Sequence, residues 1–402
     1  MTERLYYHDS FMREFDAEVV SCEPVGERYQ VVLDCTAFYP TSGGQPHDLG
    51  RLGEAAVLEV AEREDAVLHF TDRPLAAGSV RGVIDWERRS DHMQQHTGQH
   101  ILSAAFLSLF KFPTVSFHLG REVSTIDLDT SLLVLRHVEE AEQLANRVVF
   151  EDRPVTVRWG TAQELAEAGV RKAVQREGVL RAVEIEGCDR QPCGGTHVAR
   201  TGQVGLILLR KFEKQKQSWR VEFVCGGRAV RASRVEYATL GEAARLFSCG
   251  IPDVPAMVQK SLEEQQARQR SQRRLLEQLA EHEGRSLLAP ETVTGGGRTQ
   301  TQRAPGAIIR IYDDADADFL RILAARVVAE PGIQVLLATR AGGHVVFAQS
   351  PGGPADMGAL LRESLATAGG KGGGPRDFSQ GKVPDPQLLD AVLSYASARL
   401  NS

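Results

Sequence analysis

Two short motifs, far apart in the chain, most restrict how this sequence can fold. One is a His-x-x-x-His motif from His96 to His100, and the other is a Cys-x-x-x-His motif from Cys193 to His197. Three imidazoles and one thiol form the nitrogen and sulfur ligand set that zinc prefers in proteins. The sequence therefore predicts one zinc ion per chain and a fold that brings both motifs together around it.

Each motif suits a pair of ligands for its own geometric reason. Residues four apart on a helix share one face, so His96 and His100 can point at one ion. Apolar residues at helical spacing predict that this helix continues to Phe110, with Ser90 or Asp91 as its N-cap. The glycines of the second motif favour a tight loop that turns its thiol and its imidazole the same way.

Each motif alone also has an ordinary explanation. A histidine pair on a half-buried helix is more often a pair of packed or surface residues than a metal site, and a single Cys-x-x-x-His motif is weaker still. Both motifs in one chain make the metal site the better interpretation. A zincin peptidase needs a glutamate directly after the first histidine, where this chain has Thr97, so we exclude that mechanism. Cys188 is interpreted as a buried structural thiol.

The composition is that of a soluble protein with several domains. The chain has 402 residues, 42% hydrophobic and 25% charged, which is too long for one ordinary core. No stretch approaches the roughly 20 apolar residues of a membrane helix, and the N-terminus lacks a signal-peptide pattern. Six cysteines without a framework spacing fit a reducing compartment, so we expect a cytoplasmic protein without a membrane partner.

A basic stretch follows the second motif, although the whole chain has a net charge of −6. Binding to phosphate backbones depends on such local clusters rather than on total charge. Residues 205–234 therefore predict a phosphate-facing surface, with a solvated charged face as the alternative. The candidates for nucleic-acid contact in this stretch are Lys211, Lys214, Lys216 and Arg220.

Changes of pattern along the chain predict an α+β protein of several domains. Short β-rich runs between turn residues predict a small β-barrel over residues 1–85. Mixed helices and strands over 86–235, with strands at 125–128 and 131–135 among them, predict an α+β domain that holds both motifs. A polar stretch with sparse apolar residues at heptad-like spacing predicts a helical arm over 236–293.

The C-terminal part is predicted to be an α/β domain over residues 302–402, after a Gly/Thr-rich linker at 294–301. Its pattern predicts the order β-α-β-β-α, followed by a glycine-dense loop at 369–381. Exposed amides and cations in such a loop suit phosphate contact, and an aromatic ring can stack on a base. A flexible linker is the alternative explanation. The candidate residues in this loop are Lys371, Arg376 and Phe378.

Four segments in this order resemble one known family. They are Phe-Tyr-Pro-Thr-Ser-Gly-Gly-Gln at 38–45, the His-x-x-x-His motif, Ser-Phe-His-Leu-Gly at 116–120 and Pro-Cys-Gly-Gly-Thr-His at 192–197. The order is similar to the editing domain of alanyl-tRNA synthetase and to the free-standing alanyl-tRNA editing proteins. The Gly-Gly-Lys-Gly-Gly-Gly run and Asp-Phe-Ser-Gln at 377–380 resemble the C-terminal domain of the same synthetase.

The resemblance implies a zinc-dependent editing domain that hydrolyses mischarged tRNA(Ala) in trans. Seryl-tRNA(Ala) is the main expected substrate, and glycyl-tRNA(Ala) is a second one. We find no segment before the editing domain that could hold an amino-acid-activating domain, so we expect the long free-standing form. A homodimer through the helical arm or the C-terminal domain is compatible with this interpretation.

Candidate pocket residues follow from the chemistry of the implied reaction. Selecting serine over alanine requires a hydrogen bond to the serine hydroxyl, and Thr41 and Gln45 are the candidate partners. Gly43 and Gly44 in the same loop allow a substrate to approach the backbone closely, with a well-made turn as the alternative. His118 is a candidate to line the pocket or to relay a proton.

Three other interpretations remain open at this point. Threonyl-tRNA synthetases carry similar zinc editing domains, so seryl-tRNA(Thr) is an alternative substrate. A non-catalytic tRNA-binding module with a structural zinc would use all four side chains as ligands, whereas a catalytic site with a bound water would use three, and His197 is then the ligand expected to be loosest. A DHH-type phosphoesterase needs an Asp-His-His signature, and the chain offers only Asp91-His92-Met93.

Overall fold

The protein is an α+β molecule with several sheets, as predicted. The computed structural model divides into two compact units, Met1–Ala243 and Ala244–Ser402. The expected boundaries near residues 85, 235 and 293 stay a prediction. None of the helices in the described part of the chain is both long and apolar enough to cross a membrane. The residues that the structure describes are 2–170, 178–289, 291–293, 300–302 and 307–401.

A closed six-stranded barrel forms the N-terminal part of the first unit, as the alternating pattern predicts. Its strand order is β2-β3-β7-β6-β5-β8, and every pair is antiparallel. Val31, Leu33, Val60 and Val67 are fully buried in its core. The strands of this region are β1 Glu3–Arg4, β2 Glu14–Val25, β3 Arg28–Leu33, β4 Cys35–Thr36, β5 Gly50–Leu52, β6 Ala55–Arg63, β7 Ala66–Thr71 and β8 Gly78–Ile84.

The rest of the first unit holds both motifs and has two antiparallel sheets, ordered β14-β15-β10-β9 and β11-β12-β13. Ile126 and Phe223 of the larger sheet form one core cluster with Phe106 of α1 and Ala145 of α2. This packing fixes the long axis of α1. The elements are α1 Trp86–Phe110, β9 Thr114–Leu119, β10 Ser124–Leu128, α2 Leu135–Phe150, β11 Val155–Gly160, α3 Ala162–Glu167, β12 Leu180–Ile185, β13 Asp189–Pro192, β14 Ile207–Lys214, β15 Trp219–Cys225 and α4 Gly226–Leu246.

The strand predicted at residues 131–135 is wrong. Thr130 donates to the carbonyl of Leu132 at 3.0 Å and accepts its amide at 3.3 Å. Such local side-chain bonds compete with the bonds of a sheet. Helix α2 then begins at Leu135. The short strand β13 was not predicted, because Asp-Arg-Gln-Pro carries no alternating apolar pattern.

The second unit has a five-stranded sheet ordered β18-β19-β20-β22-β21 with helices on both faces. Alternate residues of β19 pack to opposite sides, Leu336 against α7 and α8, and Leu337 against α6 and the end of α5. The elements are α5 Val254–Leu288, β16 Glu291–Val293, β17 Gln300–Gln302, β18 Ile308–Tyr312, α6 Ala317–Val327, β19 Gln334–Thr339, β20 His344–Gln349, α7 Met357–Ala366, β21 Lys371–Gly373, β22 Phe378–Lys382 and α8 Leu389–Leu400.

The glycine-dense segment at 369–381 is not simply a loop, because most of it forms strands β21 and β22. The two strands pair antiparallel at the edge of the sheet. A Cβ atom on Gly372 would lie 2.6 Å from Cα of Gly381 and 2.7 Å from Leu365 of α7. Glycine is therefore needed here for close packing under the helix. In the predicted linker, residues 294–299 lie outside the described residues, and β17 pairs with β16.

Candidate metal centre

Both histidines of the first motif lie on the buried side of helix α1. The helix begins at Trp86, so the predicted caps Ser90 and Asp91 are wrong and lie inside it. Asp85 is the actual cap, and its carboxylate accepts a backbone amide of the first turn at 3.2 Å. The helix therefore starts a full turn earlier than predicted, which leaves the histidines well inside it.

The second motif is an irregular loop after β13, as predicted, but its glycine is needed for a different reason. Neither Gly194 nor Gly195 has a positive φ. A Cβ atom on Gly195 would lie 2.3 Å from Cε1 of His96, so only glycine lets the loop approach α1 this closely. Arg181 donates to the carbonyls of Cys193 at 2.6 Å and of Gly195 at 2.9 Å, which fixes the loop.

The fold brings the two motifs into one cluster. The ligand atoms of His96, His100, Cys193 and His197 all lie within 4.8 Å of one another. The Cys193 sulfur is 3.4 Å from Nε2 of His96 and 3.2 Å from Nε2 of His197. In a tetrahedral zinc shell, a sulfur and a nitrogen ligand would be separated by about 3.6 Å. The cluster can therefore hold one metal ion.

Each histidine of the cluster is also fixed by its other ring nitrogen. The three Nδ1 atoms have oxygen partners from three different segments, which leaves every Nε2 for the cluster. This is the arrangement of metal-ligating histidines, whose outer hydrogen bond sets the tautomer and the ring orientation. The pairs are His96 with Gln45 at 2.8 Å, His100 with Asp189 at 2.9 Å, and His197 with Thr97 at 3.0 Å.

The electrostatic surroundings favour a thiolate in the cluster. Burial raises the pKa of the Cys193 thiol, but His96, His197 and a hydrogen bond from His100 outweigh it and hold the pKa well below its usual value. Burial lowers the pKa of His197 to about 3, so this imidazole is neutral. Burial also lowers the pKa of His100, but its bonds to Asp189 and Cys193 outweigh burial and raise the pKa to about 10. Metal binding would then release that proton.

A cavity of about 510 Å³ opens on the cluster. His96, His100 and Cys193 line it, whereas His197 is buried and is not among the lining residues. The cavity also has a polar wall, in which the Ser103 hydroxyl accepts bonds from Gln99 at 2.9 Å and from Thr114 at 2.8 Å. The cavity therefore offers a small polar group a place beside three residues of the cluster.

Gln45 and Thr41 lie elsewhere than predicted. Gln45 is fully buried, and its amide contacts the ring of His96 and donates to the Thr196 hydroxyl at 2.9 Å. Thr41 is exposed and bonds to the ring of His47 at 3.0 Å, away from the cavity lining. Neither side chain lines the cavity, because Gln45 holds the ring of His96 and Thr41 closes a turn.

Gly43 and Gly44 form the centre of a tight turn, which was the alternative explanation of this loop. Ser42 and Gln45 exchange backbone hydrogen bonds of 3.1 and 2.9 Å across it. The two glycines have φ of +56° and +84°, which favours glycine at both positions. Gly43 lines the cavity, whereas a Cβ on Gly44 would lie 2.7 Å from the carbonyl oxygen of Phe117.

The structure does not bring His118 to the cavity. Its side chain is exposed on β9, and it is not among the lining residues. The preceding residue, Phe117, lines the cavity instead and stacks on His96, with ring centroids 5.3 Å apart. The segment was correctly associated with the site, but the histidine is not the residue that reaches it.

The basic candidates after the second motif divide into two groups. Lys211 pairs with Glu213, and Arg220 pairs with Asp127 through bonds of 2.8 and 2.9 Å. Lys214 and Lys216 are exposed and form no ion pair with any residue that the structure describes. Phosphate contact in this stretch stays a prediction, and those two lysines are its better candidates.

The C-terminal candidates also differ in their surroundings. Lys371 is exposed on β21. Phe378 is partly buried and packs against a core cluster, so its ring serves packing rather than a base. Arg376 donates to three carbonyls at 3.2 to 3.3 Å, those of Gly353, Pro354 and Ala355.

Three residues of the centre were not assigned their roles from the sequence. Asp189 holds His100, Thr97 holds His197, and Arg181 holds the cysteine loop. An aspartate shortly before a Cys-x-x-x-His motif was the only local indication. The other two contacts join segments that are distant in sequence, and only the fold reveals them.

Comparison with known proteins agrees with this organisation. Residues 180–222 match the threonyl and alanyl tRNA synthetase second additional domain, and residues 304–402 match the DHHA1 domain. The alanyl-tRNA editing protein AlaX-L of Pyrococcus horikoshii is 32% identical, with 100% of both chains covered. The alanyl-tRNA editing protein Aarsd1 of Mus musculus is 32% identical, covering 94% of this chain and 93% of that protein.

Among solved structures, the C-Ala domain of Aquifex aeolicus alanyl-tRNA synthetase matches 23% of this chain and 89% of that chain, at 21% identity and a TM-score of 0.22. Two relatives match this chain along almost their whole length, and the geometry of the cluster agrees with them. This chain belongs to the family of alanyl-tRNA editing proteins.

Proposed function

We propose that this protein is a cytoplasmic aminoacyl-tRNA deacylase that acts in trans on mischarged tRNA(Ala), removing serine and also glycine. Its single zinc ion is held by His96, His100, Cys193 and His197, and with all four bound the ion either exchanges one ligand, His197, for water or acts by shaping the pocket. The observation that carries the proposal is a cluster of three oriented imidazoles and a thiolate beside a cavity. Relatives matched over almost their whole length are named alanyl-tRNA editing proteins, which supports the same substrate class.

The chemistry required is hydrolysis of an ester. A water molecule must be positioned against the carbonyl carbon, and the negative charge that develops on oxygen must be stabilised. Bound zinc would supply positive charge next to the ester. Gln45, Asp189 and Thr97 hold the three imidazoles in place, so the site does not need to reorganise during the reaction. Phe117 covers one face of His96 and limits the access of water there.

Serine recognition is assigned to Ser103 rather than to Thr41 or Gln45. Ser103 accepts a bond from the Gln99 amide and shares one with the Thr114 hydroxyl, and with Thr114 as the donor the Ser103 proton is available to a substrate in the cavity. A hydroxyl has one proton to donate. A seryl hydroxyl in the cavity would accept it, whereas an alanyl or a glycyl group would leave it unpaired. This contact therefore favours serine over both and makes seryl-tRNA(Ala) the main substrate, while glycyl-tRNA(Ala) is hydrolysed without it.

The test is deacylation by the full chain of four charged tRNAs. Seryl-tRNA(Ala) and glycyl-tRNA(Ala) should be hydrolysed, while alanyl-tRNA(Ala) should be spared. Equal rates on seryl-tRNA(Ala) and seryl-tRNA(Thr) would contradict the alanine-specific assignment. Hydrolysis of none of them would favour a non-catalytic tRNA-binding module.

Cys193→Ala separates a functional metal from a structural one. For a deacylase, the variant should keep its circular dichroism spectrum and lose hydrolysis. For a structural zinc module, the domain should unfold instead. Cys188→Ala is the matched control, because Cys188 is a neighbouring partly buried thiol outside the cluster. This variant should keep both the fold and the activity.

A further inference from the structure

A second cavity, of about 800 Å³, lies in the first unit and takes no part in the chemistry proposed above. The first turns of α1 and the first turn of α4 line it, together with the segment after β9. Its lining includes four arginines, so we name it the arginine cavity. These arginines are Arg88, Arg121, Arg228 and Arg231.

Three of the four arginines of the arginine cavity form no direct ion pair with a carboxylate of the described residues. Only Arg228 is paired with a carboxylate, through bonds of 2.6 to 3.0 Å to Asp91. Arg88 donates to a backbone carbonyl, that of His47, at 2.9 Å. The remaining two arginines are exposed and form no ion pair with any described residue. Arg88, Arg121 and Arg231 are therefore the cations of the lining that can contact a ligand directly.

Three carboxylates line the cavity against its four arginines, so the lining keeps one net positive charge. Besides Asp91, they are Asp85 and Glu87. Asp85 already accepts the amide of Arg88 as the N-cap of α1. The positive end of the helix dipole of α1 adds to the arginines at the same place. The chemistry of the cavity therefore suits an anion with several oxygen atoms.

A buried polar atom independently points to a ligand. His92 lines the cavity and is 3% exposed, yet its Nδ1 has no hydrogen-bond partner among the described residues. Buried polar atoms in folded proteins nearly always have a partner. Burial, followed by the charges of Arg88 and Arg228, lowers the pKa of His92 to about 3, so the ring is neutral. Its Nδ1–H tautomer would donate to a phosphate oxygen.

Helix α1 connects this cavity to the metal cluster. His92 and His96 are four residues apart, which corresponds to about 6 Å along a helix axis. In an aminoacyl-tRNA the amino acid is esterified to the 3′-terminal ribose, so the preceding phosphates must lie close to the hydrolytic site. We propose that the arginine cavity binds a backbone phosphate of the single-stranded 3′ end of tRNA. This inference rests on the proposed function, because the position of the ester defines which phosphates are near.

The test measures binding of an acceptor-stem RNA hairpin that ends in CCA and carries no amino acid. Its affinity for the full chain is measured by fluorescence anisotropy over a series of salt concentrations. Arg121→Gln and Arg231→Gln should each lower the slope of log affinity against log salt by about one, as expected for one lost phosphate contact. Arg136→Gln is the matched control, since Arg136 is an exposed arginine on α2 that pairs with Glu140. Its slope should equal that of the wild type.

A chemical substitution in the RNA identifies the phosphate. A hairpin with neutral methylphosphonate linkages in the CCA end should bind the wild type with the same reduced slope, and Arg121→Gln should then cause no further loss. The proposal would be overturned if Arg121→Gln lowered the slope further on the methylphosphonate hairpin. It would also be overturned if Arg121→Gln and Arg231→Gln both left the slope on the unmodified hairpin unchanged. Displacement of the hairpin by inorganic phosphate alone would identify a small-anion site instead. Because the hairpin carries no amino acid, the result is independent of whether the protein hydrolyses esters.

Discussion

At the scale of single residues, the proposed metal centre depends on atoms outside the four-residue cluster. Asp189 bonds to Nδ1 of His100 at 2.9 Å. Such outer partners typically contribute about 10- to 100-fold to metal affinity. Asp189→Asn should therefore weaken zinc binding by about this factor without unfolding the protein, as measured by competition with a chromophoric chelator. Asp127→Asn, which removes a partner of Arg220 far from the cluster, should leave the affinity unchanged.

Ser103 provides the residue-scale test of substrate recognition. Ser103→Ala removes the hydroxyl proposed to donate to the substrate, and a lost hydrogen bond of this kind costs roughly 1 kcal/mol. The kcat/KM for seryl-tRNA(Ala) should fall about five- to tenfold, while that for glycyl-tRNA(Ala) should change less. Ser108→Ala is the control on the same helix, since Ser108 bonds only within α1. Equal losses on both substrates would assign Ser103 a structural role instead.

At the scale of elements, α1 is positioned by a glycine. A Cβ atom on Gly98 would lie 2.3 Å from the sulfur of Cys225 on β15. Gly98→Ala should lower the free energy of unfolding by roughly 1 to 3 kcal/mol through overpacking, as measured by urea denaturation. Adding Cys225→Ala should restore most of the lost free energy of unfolding, because it removes the sulfur that the new Cβ atom meets. Gly241→Ala on α4, where nothing lies within 4 Å, should be neutral or slightly stabilising.

The barrel contains a buried histidine that makes its stability depend on pH. His69 bonds to the Thr36 hydroxyl at 2.8 Å, and burial lowers its pKa to about 4 from a usual value of 6.5. The unfolded chain therefore binds an additional proton between these values. The contribution of neutral His69 to the free energy of unfolding is present above pH 6.5 and is lost as pH falls to about 4. The loss is roughly 3 kcal/mol when complete. His69→Gln should flatten this pH dependence in chemical denaturation, whereas His8→Gln, at an exposed position, should not.

The elements themselves were predictable to different degrees. Alternating apolar residues identified the barrel strands, and helical spacing identified α1. The strand at 131–135 was wrong because the Thr130 side chain bonds locally. The sequence predicts a loop at the glycine-dense segment because glycine has a low strand propensity, yet Gly372 is required where two strands pack under Leu365. Packing that depends on distant residues leaves no pattern in one segment.

At the scale of the whole molecule, the four-residue cluster was predictable and the pocket was not. Three histidines and one cysteine at two fixed spacings suffice to propose the cluster. The roles of Thr41, Gln45 and His118 depend on which way each side chain points, and the fold turns them away from the cavity. Two pairing partners, Thr97 and Asp189, become visible only when the chain is folded. Whether His197 is the loosest ligand, and whether the helical arm or the C-terminal unit forms a dimer, stay predictions.

The most direct test of zinc-dependent editing is single-turnover deacylation of seryl-tRNA(Ala) by the full chain before chelation, after chelation, and after one equivalent of zinc is restored. Circular dichroism is recorded at each stage. The proposed zinc-dependent mechanism predicts that hydrolysis is lost with the metal and returns with zinc, while the spectrum shows no global unfolding. Full activity in a metal-free protein, or no activity in the zinc-loaded protein, would contradict it.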